Sequence, residues 1–311
     1  MDHAIIISSG RCGSTLLSDL IDEEPETCSA QEFLNVLGSW NRSTATLTGP
    51  AYWDVLASPK TEMSILLRLG AQPKEFSYPA DGRYARDLVN IPRILAITLA
   101  KLTDDRDALF DRLAEGVKRF PPQSISAHNR SFLDLLAETT GKRRWVERSG
   151  ASSMYSPWIL ENYPEAKIVY LTREQKATAK SMARHSSFQL AQLQVEARAK
   201  YGIDPFDTEY SDELPAEVVQ FLPGHLTAEF LRKRGDDLNR FVALCAFMTS
   251  QAEQALADHL PVHLHKMTYE ELLMDPIGQL TSLAEFLGFA EPAEWAVSVA
   301  GRVRSPQGVT A

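Results

Sequence analysis

The chain has 311 residues and a formal net charge of −9, with 32 Lys and Arg residues against 41 Asp and Glu residues. Its composition, 44% hydrophobic and 23% charged, is that of a globular protein large enough to bury its own core, which excludes collagen-like, coiled-coil and wholly disordered chains. The acidic balance also disfavours a general nucleic-acid binder and a protein that binds anionic membranes.

Cysteine content and the N-terminus indicate the compartment. Three cysteines, an odd and low number, are typical of proteins of the reducing cytoplasm. At the N-terminus, an acidic residue precedes a short apolar run from Ala4 to Ile7, which is not the pattern of a signal peptide. No apolar run of the sequence has the length of a membrane span. We therefore predict a cytoplasmic protein.

The first predicted unit is a strand, a glycine-containing turn and a helix. Residues 4–8 (AIIIS) form an unbroken, β-branched apolar run, which is typical of a buried parallel strand. Leu16, Leu17, Leu20 and Ile21 then recur at helical spacing, which predicts a helix directly after the turn.

Strands alternate with helices further along the chain. Further strands are predicted at 144–147, 167–172 and 262–266, and one that ends at Gln31. Helices are predicted at 174–184, 269–274 and 277–287, and a long amphipathic helix over 238–252. This alternation predicts an α/β fold with a central, mostly parallel sheet that is covered on both faces.

Two segments interrupt the alternation. Residues 35–130 are long and mixed, with Pro and Gly interruptions, and residues 187–234 are polar and contain Pro205, Pro215 and Pro223. We predict a single domain over residues 1–311 in which both segments are insertions on the substrate side.

The turn after the first strand, residues 8–15 (SSGRCGST), carries the most information about function. Its small residues let the backbone curl around a ligand, and its N–H groups and the following helix N-terminus favour an anion. Arg11 supports an anion site, because a cation is unfavourable near a helix N-terminus unless an anion neutralises it. The alternative is a plain turn with Ser14 as the helix cap. No Lys precedes Ser14, so the turn is not a Walker A loop.

The segment G-R-C-G-S-T-L-L resembles the 5′-phosphosulfate loop of the sulfotransferases that use 3′-phosphoadenosine-5′-phosphosulfate (PAPS). This resemblance implies a three-layer P-loop-like fold with helical insertions. It also implies that Arg11, Cys12, Gly13, Ser14 and Thr15 bind the donor.

Other segments resemble the nucleotide site of the same family. The stretch V-Y-L-T-R-E-Q-K-A-T-A-K-S gives Arg173 and, eight residues later, Ser181, similar to the family's 3′-phosphate site. The stretch that begins Y-E-E-L resembles a family segment in which the tyrosine, here Tyr269, lines the adenine pocket. Arg304 and Ser305 resemble the start of a family tail that folds over the nucleotide.

The resemblance also implies catalytic residues. R-W-V-E-R-S is similar to the W-x-x-K-T-P stretch of the tyrosylprotein type and places Arg148 at the position of a transition-state lysine, with Arg in its place. Glu32 follows Arg11 by twenty-one residues, the spacing of the catalytic glutamate in that type. Glu32 would be the general base, and Arg11 and Arg148 would stabilise charge on the transferred group. The alternative for Glu32 is a surface residue that caps the helix beginning at Phe33.

These features predict an enzyme that transfers the sulfuryl group of PAPS to a hydroxyl of a sugar, glycolipid or small metabolite and releases 3′-phosphoadenosine 5′-phosphate (PAP), without a metal. Two alternatives stay open: a small-molecule P-loop kinase, and a nucleotide-binding module without turnover. His128 and His185 are the other candidates for the base.

Overall fold

A computed structural model describes residues 2–206, 214, 216–258 and 263–303. The strands are β1 (Asp2–Ser8), β2 (Thr27–Gln31), β3 (Thr46–Leu47), β4 (Gln123–Ser124), β5 (Arg144–Arg148), β6 (Lys167–Thr172) and β7 (Leu264–Thr268). Five of them form a sheet in the order β2–β5–β1–β6–β7, in which every neighbouring pair is parallel. The short strands β3 and β4 form a separate antiparallel pair.

Helices occupy most of the remaining chain. They are α1 (Ser14–Ile21), α2 (Phe33–Leu37), α3 (Gly49–Ala57), α4 (Thr61–Arg68), α5 (Arg93–Ala96), α6 (Thr98–Leu102), α7 (Arg106–Val117), α8 (Ile125–Thr139), α9 (Ser156–Asn162), α10 (Gln175–Ala183), α11 (Ser186–Tyr201), α12 (Ala216–Val219), α13 (Ala228–Arg234), α14 (Leu238–Leu256), α15 (Tyr269–Met274), α16 (Pro276–Leu287) and α17 (Pro292–Ala300). Within the described ranges, no helix has both the length and the apolar character needed to cross a membrane.

Both faces of the sheet are buried, because successive side chains of a strand point to opposite sides. Ile5 and Ile7 of β1 join a core that contains buried residues of α2 to α9. Ala4 and Ile6 of the same strand join a second core with α1, α15, α16 and α17. This arrangement of helix layer, parallel sheet and helix layer confirms the predicted α/β, three-layer fold.

Strand positions agree with the prediction to within two residues at each described end: β5 ends at Arg148 instead of residue 147, and β7 begins at Leu264 instead of residue 262. β1 begins at Asp2 instead of Ala4, because the chain already pairs with β5 from that residue onward. β7 ends at Thr268, two residues later than predicted, since its pairing with β6 continues to Thr172. The Thr268 hydroxyl and Glu271 then form a capping box that starts α15, and this fixes the end of the strand.

The two segments without the strand–helix rhythm are mainly helical. Residues 35–130 supply buried side chains to the first core, among them Tyr52, Trp53 and Tyr78. Helices α11 and α13 form a smaller core with Ile65 and Leu66 of α4. The two segments therefore pack against each other, and they remain predicted substrate-side insertions.

Candidate active site

The carboxyl ends of the five parallel strands meet at one edge of the sheet, where open α/β folds bind ligands. The residues predicted to carry function follow these ends in spatial order: Glu32 after β2, Arg148 at the end of β5, the loop 8–15 after β1, Arg173 after β6 and Tyr269 after β7. The two catalytic candidates apart from Arg11 thus lie on one side of the loop, and the nucleotide candidates lie on the other.

The loop after β1 is tightly curved. Gly10 has φ 73° and Gly13 has φ 93°, a conformation that glycine adopts without strain. A Cβ on Gly13 would lie 2.3 Å from the Tyr269 ring, so glycine also permits this close approach. Gly13 is the N-cap of α1 and Ser14 its first residue, so the alternative in which Ser14 caps the helix is wrong.

Arg11 connects the loop to helix α10. Its Nε donates to the Ser181 Oγ at 3.2 Å, and its Nη1 donates to the Glu75 Oε1 at 2.9 Å. The other oxygen of Glu75 lies 2.8 Å from the His185 Nε2. The sequence did not indicate Glu75, because it lies in the irregular segment before α5 and belongs to no recognised motif.

Arg173 lies beside the loop with part of its hydrogen-bonding capacity unused. Its Nη1 donates to the carbonyl oxygen of Arg11 at 3.3 Å, and its guanidinium lies 4.8 Å from the centre of the Tyr269 ring. Its Nε is buried and has no hydrogen-bond partner among the described residues. Buried donors are normally satisfied. A free guanidinium donor beside the loop therefore fits an anionic ligand such as a phosphate.

Glu32 and Arg148 form a buried ion pair at the ends of β2 and β5. Glu32 also accepts hydrogen bonds from the Asn35 side chain at 2.8 Å and from the Gly150 N–H, which lies 3.1 Å from each carboxylate oxygen. The Arg148 Nη2 donates to the Gln31 Oε1 at 2.6 Å. Glu32 is 5% exposed and its side chain makes no cap hydrogen bond, so the alternative of a surface cap is wrong.

A second carboxyl group, that of Glu147, lies close enough to interact electrostatically with this pair and is fully buried. Burial raises the pKa of Glu147 to about 7, and the charge of Glu32 adds to the shift, although hydrogen bonds to Ser149 and Leu34 oppose it. Its Oε1 accepts from the Ser149 Oγ at 2.6 Å and from the Leu34 N–H at 3.1 Å. Its Oε2 has no hydrogen-bond partner among the described residues.

Backbone strain is concentrated at this edge of the sheet. Arg11, Glu32 and Ala151 have positive φ values of 57°, 61° and 64°, and they are the non-glycine residues with positive φ in the described chain. Such a conformation costs of order 1–3 kcal/mol per residue and is often found at functional sites. All three residues follow the carboxyl ends of β1, β2 and β5. No sequence pattern indicates this strain.

The other predicted residues occupy different environments. The thiol of Cys12 is fully buried, and burial raises its pKa, so the thiol is not exposed to a ligand. His128 is fully buried, stacks on Tyr52 and pairs through Nε2 with the Leu47 carbonyl oxygen at 2.8 Å. His128 is thus a core residue away from the site. Arg304 and Ser305 lie outside the described residues.

Metal-binding side chains do not cluster in the residues that the structure describes: they contain no group of three or more His, Cys, Asp or Glu that could hold a metal ion.

Residues 155–299 match the family model of the sulfotransferase domain. No curated protein matches the sequence significantly. Among solved structures, the sulfotransferase domain from the curacin biosynthetic pathway is 17% identical with a TM-score of 0.50, and the alignment covers 95% of this chain and 77% of that one.

Two further solved structures are similar. The sulfotransferase STF9 from Mycobacterium avium is 13% identical with a TM-score of 0.45, over 96% of this chain and 67% of that one. A sulfotransferase from Alicyclobacillus acidocaldarius is 13% identical with a TM-score of 0.37, over 93% and 82%. The domain match confirms the predicted enzyme class, a sulfotransferase. Residues 155–299 are thus similar to a sulfotransferase domain, and the fold of the chain is similar to that of the sulfotransferase domain from the curacin pathway.

Proposed function

We propose that this protein transfers the sulfuryl group of PAPS to a hydroxyl of a small-molecule or glycan acceptor and releases PAP. One observation carries the proposal: polar and cationic groups that suit an anion are connected at the edge of the sheet, although Arg173 and Ser181 lie 162 and 170 positions after Arg11 in the chain. Arg173 contacts the backbone of Arg11, and Arg11 contacts Ser181.

Arg173 and Ser181 bind the 3′-phosphate of the donor in this proposal. The buried Nε of Arg173 supplies a free donor, and charge-assisted hydrogen bonds to phosphate are stronger than neutral ones. The N–H groups of the loop and of the first turn of α1 bind the 5′ end, with Arg11 as the neutralising charge. Tyr269 packs against both Gly13 and Arg173, so its ring offers an apolar wall for the adenine.

Glu32 is the general base of the proposed reaction. The acceptor oxygen forms a bond to sulfur while the bond between sulfur and the 5′-phosphate oxygen breaks, and the acceptor proton moves to Glu32. The electron pair of the broken bond stays on the phosphate of PAP, where Arg11 and Arg148 stabilise the negative charge. The scheme requires no metal ion.

The position of Glu32 supports this role. Gly150, which donates to both carboxylate oxygens, is followed by Ala151, whose N–H nitrogen would lie 3.1 Å from a Cβ on Gly10. Glu32 is thus connected to the loop through two consecutive residues. The ion pair gives Glu32 a second task, because its carboxylate also holds the buried guanidinium of Arg148 at the site.

Incubation with ³⁵S-labelled PAPS and a cell extract, followed by identification of the labelled product, tests the proposed function. We expect label in a hydroxylated metabolite or glycan, PAP as the second product, and loss of labelling in the Arg173→Ala variant. Tight PAP binding without label transfer to any acceptor would instead favour a nucleotide-binding module without turnover. Absence of PAP binding would contradict the proposal altogether.

A further inference from the structure

Glu75 bridges two groups at the nucleotide side of the site. One carboxylate oxygen accepts from the Arg11 Nη1 at 2.9 Å, and the other lies 2.8 Å from the His185 Nε2. The side chains of Arg11, Glu75 and His185 are 26%, 16% and 8% exposed, so water screens this contact only partly. We call this set of three side chains the Glu75 bridge.

The bridge places a negative charge where the proposed function needs a phosphate. Arg11 contacts Ser181 through Nε and Glu75 through Nη1. The Glu75 carboxylate and Ser181, the residue proposed to bind the 3′-phosphate, are therefore hydrogen-bonded to the same guanidinium. Burial alone would raise the pKa of Glu75, but the hydrogen bond and charge of His185, together with the charge of Arg11, lower it to about 2. The carboxylate is therefore charged at neutral pH.

We propose that Glu75 is an internal competitor of the nucleotide: its carboxylate occupies Arg11 and His185, and an anionic group of PAPS or PAP must displace it to bind. This inference rests on the proposed function. Two negative groups cannot both contact the Arg11 guanidinium at close range without repelling each other, because like charges in contact cost free energy at low dielectric.

Displacement requires a rotation of the Glu75 side chain and leaves the backbone in place. The next residue, Phe76, is buried in the first core, and its N–H donates to the Pro73 carbonyl oxygen at 3.1 Å. The N–H of Ser77 donates to the Ala96 carbonyl oxygen, also at 3.1 Å. These hydrogen bonds hold the main chain directly after Glu75 in place, whereas the Glu75 side chain can rotate about three bonds.

Calorimetric titration with PAP and with adenosine tests the inference on the wild type and on Glu75→Gln. We expect Glu75→Gln to bind PAP about tenfold more tightly, which corresponds to about 1.4 kcal/mol. Adenosine has no phosphate, so its affinity should stay within twofold. Glu115→Gln is the matched control, since Glu115 is 72% exposed and its removal changes the net charge equally.

Three results would overturn the inference. Unchanged or weaker PAP binding by Glu75→Gln would mean that Glu75 does not compete, and an equal gain for adenosine would mean that the gain is not electrostatic. A tenfold gain in Glu115→Gln would assign the effect to net charge. Thermal melting checks folding, and Glu75→Ala replaces the first variant if that one does not fold. If the wild type binds no PAP, the proposed function itself fails, which this design separates from failure of the competitor alone.

Discussion

Glu147 provides a prediction whose size follows from the structure. The pKa of the Glu147 carboxyl is about 7 in the folded protein, against an ordinary value of 4.5. Between these two pH values the folded chain therefore keeps the proton that the unfolded chain has released. The shift of about 2.5 units corresponds to about 3 kcal/mol, at about 1.4 kcal/mol per unit.

The sign follows from comparing proton binding in the two states. Below pH 4.5 the carboxyl is protonated whether the chain is folded or unfolded, so burial carries no ionisation penalty. As pH rises, the unfolded chain releases the proton first, and the free energy of unfolding of the wild type falls until pH reaches about 7. Glu147→Gln has no proton to release and keeps its stability over this range. Its amide oxygen still accepts from Ser149 and Leu34.

Urea unfolding of both proteins at pH 4.5 and pH 8 measures the effect. We expect the stability of Glu147→Gln relative to the wild type to rise by about 3 kcal/mol between the two pH values. Glu115→Gln, which removes an exposed carboxylate, should show no such change. A stability difference between Glu147→Gln and the wild type that is the same at both pH values would refute the assignment of a protonated, buried Glu147.

Three predictions concern the nucleotide and the reaction. PAP should raise the melting temperature in the presence of a chelator, because Arg side chains rather than a metal neutralise its phosphates; a shift that appears only with Mg²⁺ would contradict this. Arg173→Ala should weaken PAP binding by about 10- to 100-fold, the worth of a hydrogen bond to a charged group, yet hardly change the affinity for adenosine 5′-phosphosulfate, which lacks the 3′-phosphate. Equal losses for both ligands would remove Arg173 from the 3′-phosphate site. Glu32→Gln should lower kcat by roughly 10²–10⁴-fold with PAP affinity unchanged, and should also lower the free energy of unfolding by about 3 kcal/mol because Arg148 loses its counter-charge. A kcat within threefold of the wild type, measured below the melting temperature, would reject Glu32 as the base.

The sequence predicted the sheet and its edge well, for physical reasons. Short apolar runs rich in β-branched residues, such as residues 4–8, are typical of buried parallel strands. Parallel neighbouring strands bring their carboxyl ends to the same edge of the sheet. The loop with Arg11 and the residues after β6 could therefore be placed at this edge from the sequence alone. The structure adds that Glu32 is buried against Arg148.

Other parts of the site could not be predicted. Glu75 reaches Arg11 from a segment without periodicity, so no local pattern indicated the contact. The sequence offered His185 only as a candidate base, and its pairing with Glu75 depends on how the segment before α5 packs. The positive φ values of Arg11, Glu32 and Ala151 are imposed by tertiary structure, against the intrinsic preference of these residue types.

The central position of β1 has a consequence for folding. Asp2 pairs with Arg144 and Ala4 pairs with Lys167, so the strand next to the loop acquires its neighbours only after very long chain segments have closed. The part of the chain that matches the sulfotransferase domain contains β6 and β7 but not β1. Closure of long loops is entropically costly and slows folding, so we expect the nucleotide site to be among the last features to form. PAP would then bind only completely folded chains, and its addition during refolding would shift the balance away from partly folded, aggregation-prone species.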